Sequence, residues 1–145
     1  MMHLVLRLIA SFCGVFGFSI MFNSSVYIAA TAACIGAVAN TLRLELVDFT
    51  GMPSAAAAFI GALAAGLLAS IIKRNHGYPR ISLTVPSIVI MVPGLYLYRA
   101  IYNFGIMSLT DAVSWFTSAI MIIVMLPLGL IFARILTDRT FRYCT

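Results

Sequence analysis

Charged residues are scarce in this sequence, and acidic residues are the scarcest of them. Four Asp and Glu and nine Lys and Arg make up 9% of the 145 residues, whereas 63% are hydrophobic. This composition excludes a disordered chain and is far from that of a soluble globular protein. The three cysteines have neither metal-ligand spacing nor a disulfide framework, so they are interpreted as small apolar residues.

Sequence motifs that carry catalysis are also missing. The chain has no HExxH, no GxSxG, no phosphate-binding loop and no pair of carboxylates at catalytic spacing. Its four acids fall in connectors or in the tail and not inside an apolar run: Glu45, Asp48, Asp111 and Asp138. We therefore predict no catalytic residue, no metal, no cofactor and no proton-relay carboxylate within a span, so the chain is not expected to be an enzyme.

The formal net charge of +5 does not indicate a nucleic-acid partner. The basic residues stand singly at the edges of apolar runs, with no basic face and no reading motif. The positive-inside bias of membrane proteins accounts for them better.

Long apolar runs dominate what the sequence does contain, and the mean hydropathy is +1.09. The runs cover residues 4–22, 26–42, 54–72, 81–102 and 112–136. Each is long enough to cross a bilayer as a helix. We predict an all-α polytopic membrane protein of about five spans, forming a single transmembrane domain over residues 1–145. Gly61, Ala65 and Gly66 predict tight helix packing on two sides of the third span, which should be the most buried helix.

The fourth run, ISLTVPSIVIMVPGLYLYRAIY, carries Pro86 and the pair Pro93-Gly94. Proline removes an N–H and clashes with the carbonyl one turn back, so the span should be broken there. Pro93 lies roughly 18 Å into the run, close to the bilayer midplane. A half-helix restarting at Pro93 would offer the N–H groups of Gly94, Leu95 and Tyr96 to a solute. The alternative is a kink that only shapes helix contacts.

Few polar side chains fall inside the runs. Thr84 and Ser87 flank Pro86 and would either repair the broken backbone ladder or face a ligand. Arg99 would either snorkel among tyrosines or supply a positive charge for a carboxylate. Asn40 would bond another helix, cap its own helix or face a cavity as a ligand.

A more polar stretch, Arg43–Met52, is predicted to be an interfacial connector. Arg43 would lie at the membrane edge, as a second cation for a solute or paired with Glu45 or Asp48. Arg7 is expected to snorkel to the headgroups.

Counting basic residues predicts the orientation. With five crossings, three fall on the N-terminal side: Arg7, Arg43 and Arg99. Six fall on the other: Lys73, Arg74, Arg80, Arg134, Arg139 and Arg142. The N-terminus should therefore lie outside and the C-terminus in the cytoplasm.

The order of these features resembles the small, YjjB-like component of the threonine/serine exporter family. The matching stretches are Gly17–Asn23, Gly36–Arg43, the Ala/Gly-rich third span, and Thr84-Val85-Pro86 to Met91-Val92-Pro93-Gly94 with Tyr98 following. The resemblance implies a bacterial inner-membrane exporter of small carboxylate-bearing metabolites, either threonine and serine or dicarboxylates such as succinate. It also implies a second multi-span subunit, a YjjP-like partner.

Two functions therefore stand beside each other. In the first, the chain is an exporter subunit whose broken span lines the solute path, with predicted contacts at Asn40, Thr84, Ser87, Pro93, Gly94 and Arg99. In the second, it is a structural membrane subunit whose small-residue helices, at Gly61 and Gly66, hold a partner. The residues leave open whether copies of the chain also associate in the bilayer.

Overall fold

Six α-helices make up most of the part of the chain that the structure describes. A computed structural model describes residues 2–76 and 80–137. The helices are α1 (Met2–Met21), α2 (Val26–Thr50), α3 (Ser54–His76), α4 (Arg80–Val89), α5 (Gly94–Gly105) and α6 (Leu109–Thr137). No strand occurs within these ranges. The tail cations Arg139 and Arg142 lie outside the described residues.

Five segments are long and apolar enough to cross a membrane, and they confirm the predicted all-α polytopic fold. They are His3–Met21, Val26–Thr50, Ser54–Lys73, Ile81–Gly105 and Leu109–Thr137. The fourth segment consists of two consecutive helices, α4 and α5. Hydropathy and length identify such segments because a spanning helix must satisfy its own backbone in lipid.

The second helix is longer than predicted. α2 continues to Thr50 and ends at Gly51, whose left-handed φ of 62° lets its N–H reach the Val47 carbonyl at 3.1 Å. The predicted connector at Arg43–Met52 is therefore wrong over most of its length. Its acidic residues are accommodated in a helix because a basic residue of α1 faces them, as described below.

Burial is greatest in α2 rather than in α3. Within the most apolar window of each helix, 56% of α2 is buried against 44% of α3. α2 contacts α1, α3 and α4, and its alanines form much of the core. The expectation that the third span would be the most buried is not met within this chain.

The two halves of the fourth span have different surroundings. α4 packs against α1, α2 and α3, and Leu83, Pro86, Ser87 and Met91 are among the largest fully buried side chains. α5 packs mainly against α6, and much of its surface is exposed. The chain therefore passes from the centre of the bundle to its periphery between α4 and α5.

α3 and α6 approach each other closely at two glycines. A Cβ on Gly129 would lie 2.6 Å from the Phe59 carbonyl oxygen and 2.9 Å from the Ala62 Cβ. A Cβ on Gly66 would lie 2.6 Å from the Ala133 Cβ. Both glycines let the two helix backbones meet, as small residues do in membrane bundles.

We expect Gly129→Ala to destabilise the chain by about 1–3 kcal/mol, because the added methyl meets backbone that cannot turn aside. Thermal unfolding of the purified chain in detergent measures this loss. Gly17→Ala is the matched control, since a Cβ there meets nothing within 4 Å. Equal melting of the two variants would contradict the close α3–α6 contact.

Candidate functional site at the break in the fourth span

The fourth span is interrupted once, at residues 90–93. α4 ends at Val89 and α5 begins at Gly94. Met91 and Pro93 are buried, whereas Gly94 is exposed, and a Cβ built on it meets nothing within 4 Å. The predicted break at Pro93-Gly94 is confirmed as a discontinuity between two helices rather than a kink.

Pro86 does not interrupt the span, contrary to the prediction. It lies inside α4, which continues to Val89. The buried hydroxyl of Ser87 lies 2.6 Å from the Leu83 carbonyl oxygen and 2.9 Å from that of Ala32 on α2. Its single proton bonds one of them at a time, so Ser87 both supports the local backbone and ties α4 to α2.

The start of α5 supplies two backbone donors rather than three. The Gly94 N–H donates to the Val92 carbonyl at 2.8 Å, so the prediction that it is free is wrong. Leu97 is the first residue of α5 whose N–H bonds a carbonyl one turn earlier, at 3.1 Å. The N–H groups of Leu95 and Tyr96 precede it and have no partner within the helix.

Arg43 lies at the break, deep in the bundle. Its Nη1 donates to the Met91 carbonyl at 2.9 Å, and the residue is only 8% exposed. Gly61 of α3 makes room for this contact, since a Cβ there would lie 3.2 Å from the Arg43 Cβ and 3.5 Å from the Met91 sulfur. Three helices thus bring a cation against the interrupted backbone.

The acids predicted to pair with Arg43 pair with Arg7 instead. Arg7 Nη1 lies 2.6 Å from Asp48 Oδ2 and 3.5 Å from Glu45 Oε1. Arg7 therefore does not simply snorkel to the headgroups, and it ties α1 to the end of α2. Among the residues that the structure describes, no ion pair involves Arg43.

Arg99 lies away from the break, on the exposed face of α5. Its guanidinium carbon sits 4.7 Å from the centre of the Trp115 ring, a cation–π contact. Tyr96 packs on the same indole, with the two ring centres 5.5 Å apart. The arginine predicted from the sequence thus contacts Trp115, whereas the arginine bonded to the break is Arg43.

The remaining predicted contacts are spread along the bundle. The Asn40 Nδ2 donates to the Ser11 Oγ at 2.8 Å, a buried bond between α2 and α1. Thr84 is half-buried on α4. Ala65 lies in the core of α3. The structure therefore places the Arg43 guanidinium at the break, on the Met91 carbonyl, whereas the contacts shown for Asn40 and Arg99 are with Ser11 and Trp115.

A buried guanidinium beside unpaired amide donors is suited to a negatively charged group. In the described part of the chain, no three His, Cys, Asp or Glu side chains come close enough to hold a metal ion.

Comparison with known proteins identifies the family of the chain. A family model described as "Threonine/Serine exporter, ThrE" matches residues 7–136. Neither the curated proteins nor the solved structures gave a significant match. The matched region contains three spans in full, most of the first and nearly all of the fifth, together with the break and Arg43, and the chain belongs to the threonine/serine exporter family.

Proposed function

We propose that this chain is the small membrane subunit of a two-component exporter, and that the break in its fourth span lines the path of a small carboxylate-bearing metabolite. Threonine, serine and dicarboxylates such as succinate belong to this class. The observation that carries the proposal is the buried Arg43 on the interrupted backbone at Met91. Intramembrane charges facing a helix break are typical of solute sites in transporters.

A partner is proposed because the break is open on one side. Gly94 is exposed, and Leu95 is 60% exposed. Irregular backbone at membrane depth is tolerated only where protein or water covers it. A second multi-span subunit, YjjP-like, is the proposed cover, and a second copy of this chain is the alternative.

The contacts proposed for the solute keep the sequence-derived set and add Arg43. Pro93 and Gly94 stand at the break itself, and Ser87 lies one turn before Met91. Asn40, Thr84 and Arg99 would be reached only along the path, before or after the break. The proposed role is passage of a solute, with no catalytic residue.

The proposed location is the bacterial inner membrane, with the N-terminus outside and the C-terminus in the cytoplasm. Three basic residues on the N-terminal side against six on the other support this orientation.

A structural subunit with no path of its own is the competing function. In that hypothesis, Gly61 and Gly66 are the residues that bind a partner subunit. In the structure Gly61 faces Arg43 and Met91, and Gly66 faces α6, so both surfaces are used inside the chain. A scaffold role would need other residues.

Reconstitution tests the proposed function. Vesicles holding the full chain and its second subunit should release labelled threonine, serine or succinate, and vesicles lacking either subunit should release none above background. Absence of release from the complete pair would overturn the exporter proposal. Full release by the chain alone would overturn the need for a partner.

A further inference from the structure

Arg43 is an exceptional residue for its position. It is 8% exposed, lies on an apolar spanning helix, and in the described part of the chain has no acidic partner. Burial of a guanidinium is strongly unfavourable unless other groups compensate the charge. The hydrogen bond that the structure shows for it goes to one neutral carbonyl, that of Met91. A full negative charge would compensate it better than a carbonyl does.

The Met91 carbonyl is the second half of the same feature. It accepts this bond because the chain leaves the helix at residues 90–93, where no N–H one turn ahead takes it up. An unpaired buried carbonyl is unfavourable, so it too requires a donor whenever Arg43 moves away. The break therefore holds a donor of Arg43 and the Met91 carbonyl 2.9 Å apart, and the hydrogen bond that the structure shows for these two groups joins them to each other.

We propose that Arg43 and the Met91 carbonyl together bind the head group of an α-amino acid. The guanidinium exchanges the carbonyl for the solute carboxylate, and the released carbonyl accepts a hydrogen bond from the solute ammonium. This assignment rests on the proposed function, since it takes the break as the solute path. It adds the pair of groups that discriminates between solutes.

The exchange favours a zwitterion for a simple reason. One hydrogen bond between Arg43 and Met91 is broken, and two charge-assisted bonds replace it. A dicarboxylate satisfies the guanidinium equally well, but it offers the Met91 carbonyl a second acceptor instead of a donor. The same pair therefore selects an amino acid over a dicarboxylate of similar size.

Two glycines near the pair differ in what surrounds them, one closely packed and the other open. Gly61 lets the Arg43 stem lie close to α3, where a Cβ would come within 3.2 Å of it. Gly94, by contrast, opens the break, since nothing lies within 4 Å of a Cβ built there. A solute would reach the pair from the Gly94 side.

The test measures competition against labelled threonine in the full chain with its second subunit. Threonine amide keeps the ammonium and lacks the carboxylate, and N-acetylthreonine does the reverse. In the wild type we expect each analogue to compete roughly 10- to 100-fold more weakly than threonine, which is the effect of losing a hydrogen bond to a charged group. The measured quantity is the ratio of the inhibition constant of threonine amide to that of threonine. In Arg43→Gln this ratio should fall to within about threefold.

Three further variants complete the experiment. Lys73→Gln removes an exposed cation at the end of the third span and should leave the ratio unchanged. Arg43→Lys keeps the charge without the planar fork and should give an intermediate ratio, which maintains the test if Arg43→Gln does not fold. Arg99→Gln removes the other arginine proposed along the path, the one at Trp115, and shows which of the two arginines sets the ratio.

The failures are distinguishable. If Arg43→Gln weakens the binding of threonine and of threonine amide by the same factor, Arg43 has a structural role and the assignment is overturned. A ratio that collapses in Arg99→Gln and survives in Arg43→Gln would overturn it in favour of Arg99. If no analogue and no threonine bind the wild-type pair, the proposed function fails and the assignment fails with it.

Discussion

Joining the two halves of the fourth span is expected to lower threonine flux about tenfold or more, because an interaction made by a charged group at the break would be lost. The double variant Pro93→Ala with Gly94→Leu supplies an N–H and two good helix formers where the helix now stops. A continuous helix would bond the Leu95 N–H to the Met91 carbonyl, its partner one turn earlier. The free donor and the acceptor held by Arg43 would disappear together.

The chain should still fold after this change. Gly94 is exposed and open, so a leucine there meets no neighbour at its Cβ. Initial rates in vesicles at equal protein content measure the loss. Pro127→Ala is the matched control, because Pro127 lies inside α6 without interrupting it, and its replacement should leave flux unchanged. Wild-type flux in the double variant would show that the break is not the solute path.

Local signals in the sequence were sufficient for much of the fold. Hydropathy and length locate spanning helices, because each must bury its own backbone in lipid. Pro93 followed by Gly94 identifies the break for an equally local reason, the missing N–H and the weak helix propensity of glycine. Closely spaced Gly61, Ala65 and Gly66 likewise predict a helix with close neighbours.

The position of Arg43 depends on a distant residue and was therefore not predictable from its own neighbourhood. RLELVDFT reads as a polar connector when its acids are taken as exposed. In the structure α2 continues through both acids, which pair with Arg7, 38 and 41 positions earlier in the chain. The apolar residues Leu44, Leu46 and Val47 were the available signal that the helix goes on.

The contact of Arg43 with a carbonyl is equally non-local. The sequence shows where a proline interrupts the helical hydrogen bonds. It does not show which neighbouring helix lies beside a carbonyl that loses its helical partner, as the Met91 carbonyl does. The same limit applies to Arg99, which is close to Pro93 in the sequence yet stacks on Trp115 at the periphery. Arg99 was predicted because it is close to Pro93 along the chain, whereas Arg43 is the arginine that contacts the break in the folded protein.

Access of water to the break tests the central claim most directly. Gly94→Cys, placed in a Cys13, Cys34 and Cys144→Ser background, puts a thiol where a Cβ has open space. Ile123→Cys, exposed in the middle of α6, is the control for a position facing away from the path. If solute passes at the break, a membrane-impermeant thiol reagent will modify the thiol introduced at position 94 in the assembled pair, saturating threonine will slow that reaction, and the control thiol will stay unmodified. If neither thiol is modified and threonine changes nothing, the break faces lipid or buried protein and is not the path.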